Sequence, residues 1–462
     1  MNTENLCSLF RSEIVSFVRH DGCSLYQDRH FSQHPELDAQ AASIKKAVPD
    51  CLHFVWIGYP KHCDFNYINI WRLTNPKKKI KIWWDKTHAF CVTLHVYLKR
   101  YASSRGSENQ AKCLLALQND FFNRTLNEEN KNIHFATSAL NFLAEKEIIN
   151  SEEYRALKNE CDNDSQMRDL IGTEWCDINE IFTGFFSEYK RYYYYEVILR
   201  GNPACASDIV RLIILYLYGG IYIDVDTLPS LDSLFVQTDA LLEAVQLTGN
   251  EALCLARSEA FLNHIENKDS ENETIIRHLS AVTEMTVTLQ DKIIAAIKRD
   301  LEGFTFKKIA PLPPIHVYPD FPALSSLPVL PGLYFNNIIA ACKNGRSLRI
   351  ILSTIKRKYG YLQKENALFS LPQETREAAP FLELLDYRKE GSQTGATLWL
   401  TGPGTLIEVL LKLAWILLKP QADITPYALS LFMQNDRYGI AFFNQTLDTP
   451  MGLCSCWRDI ND

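Results

Sequence analysis

No Cys-x-x-Cys pair occurs among the 13 cysteines, which are spread from Cys7 to Cys456 and are odd in number. That distribution argues against a disulfide framework and fits reduced thiols in a cytosol. Cys454 and Cys456 have no partner pair with which to build a metal or redox site. A basic excess is also missing: the net charge of -7 removes the general electrostatic case for nucleic-acid binding and leaves only local basic patches. The N-terminus, MNTENLCSLFRSEIVSFV, lacks the basic start and long apolar core of a secretory signal and reads as an amphipathic helix. Without secretion, the Asn-x-Thr sequons at Asn123, Asn272 and Asn444 carry no weight. The longest apolar run near the C-terminus, Leu406 to Leu418, is broken by Glu408 and Lys412 and is too short to span a bilayer, so it predicts a buried helix. There is no internal repeat and no low-complexity tract.

At 462 residues and 47% hydrophobic content the chain has enough apolar material for one large elaborated domain, or a core with helical additions. It is organised around SDIVRLIILYLYGGIYIDVD, Ser207 to Asp226. From Ile209 to Tyr218 every residue except Arg211 is apolar or aromatic, which predicts a helix buried on nearly all sides. Gly219-Gly220 ends it, because glycine reaches left-handed backbone angles without a Cβ clash. IYIDVD then resumes with period two, placing Ile221, Ile223 and Val225 on one strand face and Tyr222, Asp224 and Asp226 on the other. Two neighbouring carboxylates at the end of an apolar strand are costly, and a divalent cation is the usual remedy. Asp208 and Arg211, three residues apart, share a helix face. Each piece has a plain alternative: Ser207 and Asp208 as helix caps, Arg211 as the partner of Asp208, the glycines as an ordinary turn. A charged, metal-capable set flanking so apolar a stretch favours the functional reading.

Before this stretch, residues 1 to about 50 predict a small helical N-terminal piece. CLHFVWIG (Cys51 to Gly58) and IKIWWD (Ile80 to Asp85) read as strands with a helix at Asn66 to Leu73 between them, a β-α-β unit of a parallel sheet. Residues of about 87–195 and 232–305 read as helical insertions. The Tyr192 to Tyr195 run lies on a predicted helix and reads as packing. Pro311 to Pro331 reads as irregular, Leu348 to Leu362 as a helix with a basic face, Leu398 to Pro403 as a strand entering a turn, and Thr405 to Leu418 as a helix. Asn336 and Asn337 interrupt the apolar run Tyr334 to Ala341 and need hydrogen-bond partners if buried.

Several of these segments together resemble one family, the glycosyltransferase domains of the large clostridial glucosylating toxins, among the Asp-x-Asp sugar transferases. HFVWIG with NYINIW (Asn66 to Trp71), ASDIVR, GGIYIDVD, FNNIIAACKNG through KRKYGYL, LTGPGT and SCW are similar to that family's blocks and stand in its order. The matched segments cover about a quarter of the residues but extend from His53 to Trp457. The resemblance implies an α/β fold of the GT-A type, a Rossmann-like nucleotide-sugar-binding core with extensive helical additions, over residues 51–462, with a C-terminal lid from about residue 440.

The resemblance also implies roles. Trp56 would stack on the uracil of a UDP-sugar, although a tryptophan in a strand-like run reads by itself as core. Ser207 and Asp208 would lie at the donor, Asp208 on sugar or ribose hydroxyls. Arg211 would contact the donor sugar or phosphate, Asn336 a sugar hydroxyl or the leaving-group side, and Tyr222 the diphosphate. Asp224 and Asp226 would hold Mn²⁺ or Mg²⁺, Ser455 would complete the metal shell, and Trp457 would cover the glycosidic oxygen. One position departs from the pattern: Gly452 stands where the family carries a glutamate, three residues before the terminal serine. The reaction implied is retaining transfer to a hydroxyl side chain of a host protein, a small GTPase by family, with UDP-glucose favoured over UDP-N-acetylglucosamine because Phe335 and Asn337 are bulky. Nothing in the sequence resembles a translocation or protease module, so a secreted bacterial effector acting in the host cytosol is expected. Peripheral membrane contact by the N-terminal helix stays open. The alternatives are a transferase acting on a glycan or lipid carrier, and a binding module without turnover that holds a nucleotide sugar or a GTPase.

Overall fold

The computed structural model describes residues 3–21, 34–128, 133–163, 172–248, 250–267, 271–282, 285–327, 331–370, 397–421 and 424–442. Helices α1 (Thr3–Ser16) and α2 (Pro35–Ile44) precede a short strand β1 (Lys46–Ala47). The two β-rich runs that follow pair side by side as parallel strands β2 (Cys51–Trp56) and β3 (Lys79–Trp84), and α3 (Phe65–Thr74) connects them. Asp64 caps α3 by accepting from the Asn66 amide at 3.0 Å. Helices α4 (Cys91–Ser103), α5 (Ser107–Glu128), α6 (Phe135–Glu145) and α7 (Ser151–Asn163) lead to β4 (Thr173–Asp177).

After α8 (Tyr189–Tyr194) come α9 (Pro203–Tyr218) and β5 (Gly220–Ile223), then α10 (Val236–Ala244), α11 (Glu251–Ile265), α12 (Glu271–Leu279) and α13 (Val287–Leu301). The remaining elements are β6 (His316–Val317), β7 (Ala323–Ser325), β8 (Phe335–Ala341), α14 (Arg346–Lys364), α15 (Pro403–Leu418), α16 (Pro426–Met433) and β9 (Ala441–Phe442). The main sheet has seven strands in the order β4-β3-β2-β5-β8-β7-β9. β4, β3, β2 and β5 are parallel, and β8 turns antiparallel against β5.

Period two decides what each sheet face buries. Leu52, Phe54, Ile80, Ile82, Ile221, Ile223 and Ile338 pack with Ile68 and Trp71 of α3. Val55, Trp83, Tyr222 and Ile339 pack on the opposite side with Ile209, Leu212 and Ile213 of α9. A third apolar cluster joins α10 to α13 with Tyr67 and Ile70 of α3. The tyrosine run is packing, as its composition suggested: Tyr192 stacks on Tyr359 of α14 with centroids 4.8 Å apart.

Four expectations are corrected. The strand after the double glycine stops at Ile223, and Asp224 to Thr227 form a turn closed by the Thr227 amide donating to Asp224 O at 3.1 Å. Asp226 therefore leaves the strand alternation. Thr397 to Leu400 are helical rather than a strand, because the Gly402 amide returns to Thr397 O at 2.8 Å before Pro403 opens α15. The proline-rich segment contains β6, whose partner β1 is distant in sequence, and β7, which pairs with the nearby β8 and with the distant β9. β4 was hidden in a helical background, since TEWCD offers no clean alternation.

His53 sets the join between β2 and α9. The Trp83 indole N–H donates to its Nδ1 at 3.1 Å, so Nε2 carries the proton and donates to Gly219 O at 3.0 Å. Gly219 and Gly220 have φ of +67° and +99°, and a Cβ on Gly220 would lie 2.7 Å from Cys51 O. Burial lowers the pKa of His53 from 6.5 to about 4 and does the same to His95, whose Nε2 donates to Ile198 O at 3.0 Å. A histidine kept neutral when folded gives stability that is full above 6.5 and is lost as the pH falls toward 4. Each is expected to cost about 1.4 kcal/mol by pH 5.5. Urea midpoints between pH 7.5 and 5.5 check this, and His53→Gln should remove about one proton from the slope.

Candidate active site at the end of the central strand

The polar cluster forms where α9, β5 and β8 meet. Asn202 caps α9, its Oδ1 accepting from the Cys205 amide at 3.1 Å, with Pro203 in the first turn. Ser207 and Asp208 thus sit in the second turn and are not caps, which removes the plain alternative for them. Asp208 and Arg211 are 3% and 5% exposed in a helix whose other faces are buried by aliphatic residues.

Arg211 is the hub. Its Nη2 lies 3.1 Å from Asp224 Oδ1 and 3.3 Å from Asp208 Oδ1, and donates to Ser207 Oγ at 3.1 Å. Nη1 donates to the Asn336 carbonyl at 2.8 Å, and the guanidinium carbon stands 4.2 Å from the Tyr222 ring centroid. Its Nε is buried and has no hydrogen-bond partner among the described residues. The Tyr222 hydroxyl donates to Asp224 Oδ1 at 2.5 Å and lies 3.3 Å from Ser207 Oγ. Asp208 Oδ1 accepts from Asn336 Nδ2 at 2.8 Å, and Oδ2 accepts from the Thr401 hydroxyl at 2.9 Å.

The adjacent asparagines divide their tasks. Asn336 belongs to the cluster, whereas Asn337 is structural: its Oδ1 accepts from Ser325 Oγ at 2.6 Å and its carbonyl accepts from the Asp224 amide at 2.8 Å. The Asp224 to Thr227 turn is pinned from the other sheet face by the Trp71 indole, which donates to Thr227 O at 2.7 Å. Trp56 closes β2 at the same sheet edge, half-buried, its indole donating to Tyr59 O at 2.9 Å.

Burial raises the Asp208 carboxyl to about 6, against the pull of Arg211, Thr401 and Asn336, so it is mainly ionised at neutral pH. Burial also raises Asp224, whose side chain remains 28% exposed, while Arg211 and Tyr222 draw it back. Desolvation works against the Arg211 charge, but Asp224, Tyr222, Asp208 and Asp226 together keep it protonated. Burial holds Tyr222 protonated as a donor.

Among the described residues no group of three or more His, Cys, Asp or Glu side chains surrounds a common point. Asp224 and Asp226 supply hard oxygen donors, and Asp224 Oδ2 takes no hydrogen bond from a described residue, which fits a cation of the Mg²⁺ or Mn²⁺ class that completes its shell with phosphate and water. Ser455, Trp457 and Gly452 lie outside the described residues, as does nearly all of the expected lid. A basic cleft of about 560 Å³ beside Tyr216, Asn344, Arg349 and Arg357 lies at the far ends of α9 and β8, away from this cluster. Every described cysteine is a free thiol. Among the described residues the one helical stretch long and apolar enough to cross a membrane, Thr397–Leu418, is half buried in the fold.

The sequence pattern of the TcdA/TcdB catalytic glycosyltransferase domain matches residues 50–371. Toxin A of Clostridium novyi is 30% identical over 244 residues, 49% of this chain and 11% of that protein. Toxin B of Clostridioides difficile is 27% identical over 201 residues, 39% of this chain and 8% of that protein. The matched region is thus about a tenth of the length of these relatives. The catalytic domain of alpha-toxin from Clostridium novyi superposes with a TM-score of 0.66 at 19% identity, covering 92% of this chain and 82% of that one. The UDP-bound glycosyltransferase domain of the YGT toxin gives 0.59 at 20% identity, covering 89% and 82%. The fold is that of these toxin domains, the GT-A type.

Proposed function

The chain belongs to the TcdA/TcdB catalytic glycosyltransferase family, and on that premise we propose that it is a metal-dependent transferase moving glucose from UDP-glucose to a hydroxyl side chain of a host protein, a small GTPase, with retention at the anomeric carbon. The observation that carries this reading is the buried cluster of Asp208, Arg211, Asn336, Tyr222 and Asp224 at the end of the central strand. It combines a fixed cation and a desolvated anion with hydroxyl and amide groups, the chemistry that a nucleotide sugar needs.

Asp208 accepts from sugar or ribose hydroxyls, with Ser207 beside it. Arg211 meets donor sugar and phosphate, Asn336 a sugar hydroxyl, Tyr222 the diphosphate, and Trp56 the uracil face. Asp224 and Asp226 hold the cation, Ser455 joins its shell, and Trp457 covers the glycosidic oxygen. The cation neutralises charge on the departing diphosphate. The sequence offers no evident carboxylate pair spaced for double displacement of the glycosidase kind, which favours attack of the acceptor hydroxyl from the leaving-group face, with the departing phosphate oxygen taking its proton. Residues 1–50 are an N-terminal segment, helical at α1 and α2, and 51–462 the transferase domain, and the protein acts as a secreted bacterial effector in the host cytosol.

Incubation with Mn²⁺, host-cell lysate and labelled UDP-glucose or UDP-N-acetylglucosamine tests the reading. A labelled protein band with glucose in preference is expected, and a product with inverted configuration would overturn retention. No label and no donor hydrolysis with either sugar would overturn the transferase assignment.

A further inference from the structure

The LTGPGT segment supplies a residue to the cluster from outside its two main elements. Thr401 is fully buried, and its hydroxyl is the donor to Asp208 Oδ2. The backbone reaches this point through the single helical turn Thr397 to Leu400 and the return at Gly402. Glycine is required on both sides of Pro403 by close approach. A Cβ on Gly402 would lie 2.7 Å from Thr397 O, and one on Gly404 would lie 2.8 Å from Leu398 O.

Side chains from two other helices hold the turn. Lys358 of α14, 5% exposed, donates to Trp399 O at 2.7 Å, Thr405 Oγ1 at 2.9 Å and Glu408 Oε2 at 2.9 Å. A buried ammonium is expensive to desolvate, and here it donates three hydrogen bonds to one turn and the helix it opens. Asn202 caps α9 with its Oδ1 and donates through Nδ2 to Thr397 Oγ1 at 3.0 Å. The residue that starts the helix carrying Asp208 therefore also fixes the start of the turn carrying Thr401.

We propose that Thr401, on a turn clamped by Lys358 and Asn202, is the positioning residue for Asp208. The terminal torsion of an aspartate is broad, so donors on one oxygen alone do not fix the carboxylate plane. Asn336 and Arg211 engage Oδ1, and Thr401 is the donor to Oδ2. With both oxygens held, the remaining lone pairs keep one direction for a hydroxyl of the donor. Thr401 touches no reacting atom in this scheme, and Lys358 acts one step further back through the backbone of the turn. The proposal rests on the transferase reading for the ligand that Asp208 meets.

The test is a double-mutant cycle on the full chain, read as kcat and KM for UDP-glucose hydrolysis and transfer, with the donor dissociation constant where turnover is slow. Thr401→Val is expected to lower kcat/KM about 30-fold through misplacement of Asp208, and Thr401→Ser to restore it to within about threefold. In an Asp208→Ala background, Thr401→Val should cost less than about twofold more, because the group it positions has gone. Lys358→Met should reproduce the Thr401→Val defect, and urea midpoints control for unfolding. A Thr401→Val protein with wild-type kcat/KM, no rescue by serine, or a penalty that persists without Asp208 would overturn the proposal while leaving the transferase reading intact. A wild type that neither turns over nor binds either sugar nucleotide overturns both.

Discussion

Replacing Asp224 and Asp226 together with asparagine is expected to lower donor hydrolysis and protein labelling by about three orders of magnitude, the equivalent of about 4 kcal/mol of transition-state stabilisation. The loss should not come from unfolding. The Asp224 amide remains bonded to the Asn337 carbonyl, the turn stays pinned by Trp71, and an asparagine oxygen can still accept from Tyr222 and Arg211. The substitution also removes a partly desolvated carboxylate, so the unfolding midpoint of the metal-free protein should be unchanged or slightly raised. Titration of UDP in the presence and absence of Mn²⁺ separates the outcomes. The wild type should bind more tightly with the cation, and the variant should show no difference. A variant that keeps a tenth of the activity would remove these aspartates from the metal role.

Arg211→Met is expected to abolish activity and to destabilise the metal-free protein by about 3–5 kcal/mol near pH 8, the usual consequence of stranding a buried partner. Asp208 and Asp224 both lose their cation in that variant. The pH dependence gives the physical signature. Asp208 already has a folded-state pKa raised from 3.8 to about 6, and loss of Arg211 raises it further. A raised carboxyl pKa means that stability grows as the pH falls through the folded-state value. Relative to wild type, the variant should therefore gain up to about 1.4 kcal/mol per pH unit on going from pH 8 toward 6.5, because the His53 and His95 contributions are common to both proteins and cancel in that difference. Arg211→Lys should recover stability better than activity, because an ammonium on a flexible stem cannot bond Ser207, Asp208, Asp224 and the Asn336 carbonyl together. A parallel pH profile for wild type and Arg211→Met would show that Asp208 is not held by Arg211.

The central helix and the first β-α-β unit were legible because their signals are local and physical. An apolar run broken only by Arg211 and ended by two glycines reads as a buried helix and its stop, and CLHFVWIG and IKIWWD are short β-rich apolar runs. The strand boundary at Ile223 was not legible. IYIDVD alternates through Asp226, but the Thr227 amide turns back to Asp224 and Trp71, more than 150 positions earlier, holds that turn. Leu398 to Leu400 looked like a strand because LWL has strand composition, whereas the backbone return from Gly402 makes it one helical turn.

The sequence by itself determined which residue types were available for the chemistry. Asp208 and Arg211 share a helix face by spacing, Tyr222 and Asp224 stand two apart in the run that opens as a strand, and the resemblance of the blocks carried the family. Only the tertiary structure decided which neighbours those groups meet. It showed that Asn336 rather than Asn337 enters the cluster, and that Thr401 engages the second oxygen of Asp208 from 193 residues away. It also showed that Ser207 and Asp208 are not caps, because Asn202 already fills that position. Periodicity reports the face a side chain takes, but a hydrogen bond needs the partner brought into range, and that is set by the packing of α9, β8 and the Thr401 turn around one buried guanidinium.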